Sequence, residues 1–108
     1  MAKYCLTYDV QDSDKWEPNE IKISLSEILL KNNAFSLESP TASTILFEDG
    51  RGKSNITFWN NLIIKYFKED IFYYLCVVGK NTNSEYLDRN EGDADLDTNY
   101  QDLLEELE

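Results

Sequence analysis

The chain has 108 residues, 42% of them hydrophobic, with 21 acidic side chains against 10 basic ones and no histidine. That length makes one domain with a modest core, in which roughly two-thirds of the unfolded surface is buried. A net charge of −11 excludes a passive nucleic-acid binder that works through a basic patch, and the missing histidine and CxxC spacing exclude a His-based triad and a zinc site.

Residues 3–10, KYCLTYDV, alternate Tyr4, Leu6 and Tyr8 with Cys5, Thr7 and Asp9 and predict a first strand. Asp9 closes that strand on the face of Cys5 and Thr7, as either a turn former or a residue that does chemistry. QDSDKWEPN (11–19) has turn chemistry. Ile21, Leu25, Ile28 and Leu29 then form one helical stripe, with Asn19 as a start cap and Asn32–Asn33 as the stop. AFSLE and ASTILFE predict a second and a third strand joined tightly by Ser39-Pro40-Thr41. DGRGKSN (49–55) reads as a loop, with Ser54 or Asn55 capping the next helix. It lacks the spacing of a phosphate-binding loop, so Arg51 and Lys53 are expected to decorate it. Trp59, Leu62, Ile63 and Tyr66 predict a second amphipathic helix, and IFYYLCVV (71–78) a strongly apolar strand ended by Gly79. Cys5 and Cys76 sit inside apolar runs and are read as small buried hydrophobes of a reducing compartment. A disulfide between them would need their strands to be neighbours.

The order strand, helix, strand, strand, helix, strand predicts an α+β, ferredoxin-like βαββαβ domain over residues 1–80. Four antiparallel strands carry two helices on one face, and 71–78 lies in the middle of the sheet beside the first strand. The other face keeps Tyr and Phe side chains, including Tyr73 and Tyr74, and implies a homodimer through that face or an edge.

Residues 1–84 carry 11 acids against 9 bases, whereas 85–108 carry 10 against 1. Residues 81–108 are therefore an acidic tail. It contains an edge-strand candidate, EYL, and a short helix with Tyr100, Leu103, Leu104 and Leu107 on one stripe. That helix is stable only if the stripe docks on the domain, on a second protomer or on another protein. Asp93, Asp95 and Asp97 mimic the start of a calcium loop, but its glycine and its twelfth-position glutamate are missing.

YCLTYDV, with the Tyr-Asp pair that ends the first strand, resembles the opening of the small CRISPR adaptation proteins of the Cas-two family and their VapD-type and SinR-type relatives. LESPTASTILFEDG (37–50) and FKEDIFYYLCVVGKN (67–81) are similar to later parts of the same proteins, so the resemblance covers about residues 2–80. It implies a dimer in which paired first-strand aspartates hold Mg²⁺ for phosphodiester hydrolysis, and it assigns Asp9 as the catalytic and metal-binding residue. Both the kinship and that role are made to depend on 71–78 lying inside the sheet. After Asp9 the stretch carries Asp12, Asp14, Glu17 and Glu20 against Lys15 alone, which offers phosphate little.

Two functions are expected. One is a dimeric Cas-two-like protein of a defence or toxin–antitoxin setting, either a non-catalytic or degenerate nuclease or a magnesium-dependent endonuclease. The other is an acidic inhibitor, antitoxin or immunity protein that mimics nucleic acid and blocks a basic protein partner through Glu91, Asp93, Asp95, Asp97, Asp102, Leu103 and Leu107. No apolar run reaches the ~18–20 residues of a bilayer span, and no secretory signal is visible, so a cytoplasmic location is expected.

Overall fold

The structure is a computed structural model and describes residues 2–12, 14–52, 55–79 and 94–107. It contains β1 (Lys3–Val10), α1 (Pro18–Lys31), β2 (Ala34–Thr41), β3 (Thr44–Asp49), α2 (Ile56–Phe67), β4 (Ile71–Val78) and α3 (Ala94–Leu107). The four strands form an antiparallel sheet in the order β2-β3-β1-β4, as an α+β, ferredoxin-like domain requires.

Alternation in β1 sends Tyr4, Leu6 and Tyr8 into the core and leaves Cys5, Thr7 and Asp9 on the opposite, open face. The stripe Ile21, Leu25 and Leu29 of α1 packs on the inner face, as do Trp59, Ile63 and Phe67 of α2. Phe47 stacks on Tyr4 at 5.4 Å and meets Trp59 edge-on at 5.0 Å, so one aromatic trio ties β1, β3 and α2 together.

Several boundaries depart from the sequence reading. α1 begins at Pro18, where a proline at the first turn loses no helical hydrogen bond; Glu17 is the residue before it, and Asn19 lies inside the helix. β2 runs through Ser39, Pro40 and Thr41, because an edge strand with register shifts tolerates a residue that has no N–H; the chain turns at Ala42–Ser43 instead. In α2 the buried set is Trp59, Ile63 and Phe67, and Tyr66 is exposed. Asn55 is the cap, its Oδ1 accepting from the N–H groups of Thr57 and Phe58 at 3.0 and 3.3 Å.

The largest correction concerns 71–78, which lies at the rim. Each strand–helix–strand crossover skips one position, so β1 and β3 become the central pair while β2 and β4 form the edges. The apolarity of β4 on both faces is not double burial. Ile71, Tyr73 and Leu75 face the helices, whereas Phe72 and Tyr74 stand on the open face, 65% and 78% exposed.

The C-terminal stripe docks on the domain itself, against β2 and α1, with Tyr100 and Leu104 inside the common core. The edge-strand candidate EYL lies outside the described residues. No helix among the described residues is long and apolar enough to cross a membrane.

Candidate functional site

Asp9 sits exposed near the end of β1, opposite Phe72 of β4. With Thr7, Phe72 and Tyr74 it lines a depression of about 190 Å³, below the ~300 Å³ at which ligand pockets begin. Among the described residues no group of three or more carboxylate or thiol side chains converges to hold a metal ion. Asp9 thus stands without a cluster of described donors around it, and a cation there would need a second protomer, a phosphate or water to complete its shell. β4, which pairs beside Asp9, is an edge strand rather than the central strand expected from its apolarity.

The structure builds two other polar centres that the sequence did not reveal. The first is Asp49, fully buried at the end of β3. Its carboxylate accepts from the Arg51 backbone N–H at 2.8 Å, from the Arg51 guanidinium at 3.1 and 2.8 Å, and from Trp59 Nε1 at 2.9 Å. Burial alone would raise its pKa, but these donors outweigh burial and hold the carboxyl below its ordinary range. Arg51 does not decorate a loop: its guanidinium lies 3.5 Å from the Phe58 ring centre. The preceding turn closes because Gly50 approaches the Asn33 carbonyl so tightly that a Cβ would sit 2.3 Å from it. A second anchor, Asp70, takes Lys15 Nζ at 2.8 Å and Trp16 Nε1 at 2.9 Å, and both contacts lower its pKa.

The other centre lies under α3. Tyr100 shares a 2.7 Å hydrogen bond with Ser26 of α1, and burial pushes its hydroxyl up to about 12. Beside it Lys22 is only 3% exposed. The Lys22 ammonium reaches the Thr41 carbonyl at 3.5 Å and the Tyr100 ring centre at 5.6 Å, and burial pulls its pKa down. The Tyr8 hydroxyl is buried with no hydrogen-bond partner among the described residues, and burial raises its pKa. These groups make α3 an integral layer, and Asp95 and Asp97 of the calcium-loop mimic lie inside its first turn, in helix rather than loop.

With its apolar side turned inward, α3 presents an acidic outer side. Asp95, Asp102, Glu105 and Glu106 are exposed, and residues 94–107 contain no basic side chain. Asp97 is half-buried and accepts from the Ser39 backbone N–H at 3.5 Å. Leu103 is half-buried, as is Leu107, which packs against the core. Leu107 also lines a groove of about 520 Å³ between α1 and α3, together with Glu27, Leu30, Lys31 and Glu106. Glu91 and Asp93 lie outside the described residues.

Comparison of the chain with protein-family models, with curated proteins and with solved structures found no match.

Proposed function

We propose that this chain is a non-catalytic interaction protein acting in a nucleic-acid context, whose α3 face occupies the basic, phosphate-binding surface of another protein. One observation carries the reading: α3 is fastened by Tyr100 and Leu104, so Asp95, Asp102, Glu105 and Glu106 are displayed on a fixed scaffold. Carboxylates held in a row imitate backbone phosphates and accelerate docking to a cationic surface. The groove beside Leu107 adds an apolar floor next to that face, and its rim carries Glu106 together with the Glu27–Lys31 ion pair. In the same reading a second copy pairs along the open edge of β4, which leaves both α3 faces outward.

Affinity capture from the source cells, using the wild-type chain and a D95N/D102N/E105Q/E106Q variant, tests the proposal. The wild type should retain a basic protein that added duplex DNA or RNA displaces, and the variant should lose it. Retention that ignores both the substitutions and the nucleic acid rejects the reading. Magnesium-dependent cleavage of RNA or duplex DNA that disappears in Asp9→Asn would replace it with the endonuclease.

A further inference from the structure

Cys5 and Cys76, expected to be buried, are not. Cys5 of β1 is half-buried, Cys76 of β4 is exposed, and both are free thiols. The apolar runs that hold them belong to an open face and an edge strand, so hydrophobic neighbours in sequence do not enclose them. The antiparallel register pairs the two directly. Cys5 alternates with the buried Tyr4 and Leu6, so both thiols stand on the open face. Cys5 Sγ lies 3.9 Å from Thr7 Oγ1 on that face.

Directly opposed residues of an antiparallel ladder have Cα atoms about 4.5 or 5.5 Å apart, depending on hydrogen-bonding phase. Both spacings fall inside the ~4.4–6.8 Å that a disulfide accepts. The two Cβ atoms also project to one side of the sheet, so a bridge needs only a small approach of the paired strands, from about 4.5–5.5 Å between Cβ atoms to about 3.5–4.5 Å.

We propose that Cys5 and Cys76 form a redox-active dithiol, which a low-molecular-weight disulfide oxidises to a cross-strand disulfide. The exposed Cys76 thiolate attacks one sulfur of that oxidant and expels the first thiol, leaving a mixed disulfide. The Cys5 thiolate then attacks the Cys76 sulfur and expels the second thiol. One protein S–S bond forms, one oxidant S–S bond breaks, and the protein's two protons and two electrons leave in the two released thiols. The product staples the edge strand β4 to the central strand β1. The inference stands apart from the acidic face of α3.

The test treats the folded full-length chain with oxidised glutathione, then alkylates it and measures intact mass under non-reducing conditions. The wild type should lose both alkylatable thiols and the mass of their two hydrogens, without a glutathione adduct and without covalent dimers, and dithiothreitol should reverse this. Cys5→Ser and Cys5→Ala should each accumulate the adduct on Cys76, because the resolving thiol is gone. A lasting adduct on wild-type Cys76 with Cys5 still alkylatable overturns the proposal. So do crosslinks between chains only, or thiols that do not react.

Discussion

The two edges of the sheet are handled in opposite ways. β2 is irregular: its register against β3 shifts twice, and Ser36 adopts a φ of 53°. It is also covered by α3. Gln101 Nε2 donates to the Leu37 carbonyl at 3.1 Å, and Asp97 accepts from the Ser39 N–H at 3.5 Å, so two side chains one helical turn apart take backbone groups that a further strand would claim. β4 pairs with β1 over eight consecutive residues without a shift, carries no charge, and has no described element beyond it. Bulges, proline and a covering helix are the devices that stop sheets from adding strands. The molecule spends them on β2, and among the described residues β4 carries none of them.

The largest effect should come from stripping the closed edge. Tyr100→Ala removes the aromatic anchor of α3 and is expected to cost about 3 kcal/mol in urea unfolding. Hydrogen exchange at the Ser39 amide should accelerate while the β4 amides stay unchanged. Equal acceleration at both edges would deny that α3 protects β2.

Asp49→Asn attacks the β3 end that supports the closed side. The cost should be about 2 kcal/mol, less than for a fully enclosed ion pair because Arg51 keeps some water contact. The folded pKa of Asp49 lies below its ordinary 3.8, so its contribution is present above that pH and fades as pH falls through the folded value. The variant should therefore show a shallower acid limb in stability against pH, and an unchanged limb would place the acid sensitivity elsewhere.

Lys22→Met should stabilise the protein by about 1 kcal/mol, since the ammonium is buried under α3 with one long hydrogen bond and a distant ring contact. A lysine with a lowered folded pKa holds fewer protons folded than unfolded as pH approaches 10.5, so wild-type stability gains from this group there. Tyr100, raised to about 12, acts in the opposite sense above pH 10. Comparing alkaline melts of wild type and Lys22→Met isolates the lysine. A destabilised variant would mean that the ammonium has found a better partner in solution.

The smallest stability change belongs to the open edge. Tyr74→Lys, at an exposed site, should alter unfolding by no more than about 0.5 kcal/mol. It should nevertheless abolish any self-association seen by sedimentation, and a variant that sediments as the wild type does would exclude β4 from the contact.

Element types were legible along most of the chain, because the period of apolar residues changes cleanly between strand and helix. Tyr4, Leu6 and Tyr8 alternate, and Ile21, Leu25 and Leu29 recur every four residues; both sets are buried as their spacing requires. The acidity of the C-terminal residues was equally plain. What periodicity could not convey was enclosure. IFYYLCVV reads the same whether it is sandwiched or stands at a rim, and the burial expected of Cys5 and Cys76 fails for that reason. The Asp49 centre was hidden too: Trp59 lies ten residues away, and only the packing of α2 on β3 brings its indole N–H to the carboxylate.

Local physics within the chain thus decided which segments extend, which coil, and where negative charge gathers, since propensity and alternation act between near neighbours. Tertiary packing alone decided which strand became an edge, which of the leucines near the C-terminus reached the core, and that two thiols far apart in sequence face each other. These outcomes depend on how layers cover one another, and that is a property of the assembled sheet rather than of any one segment.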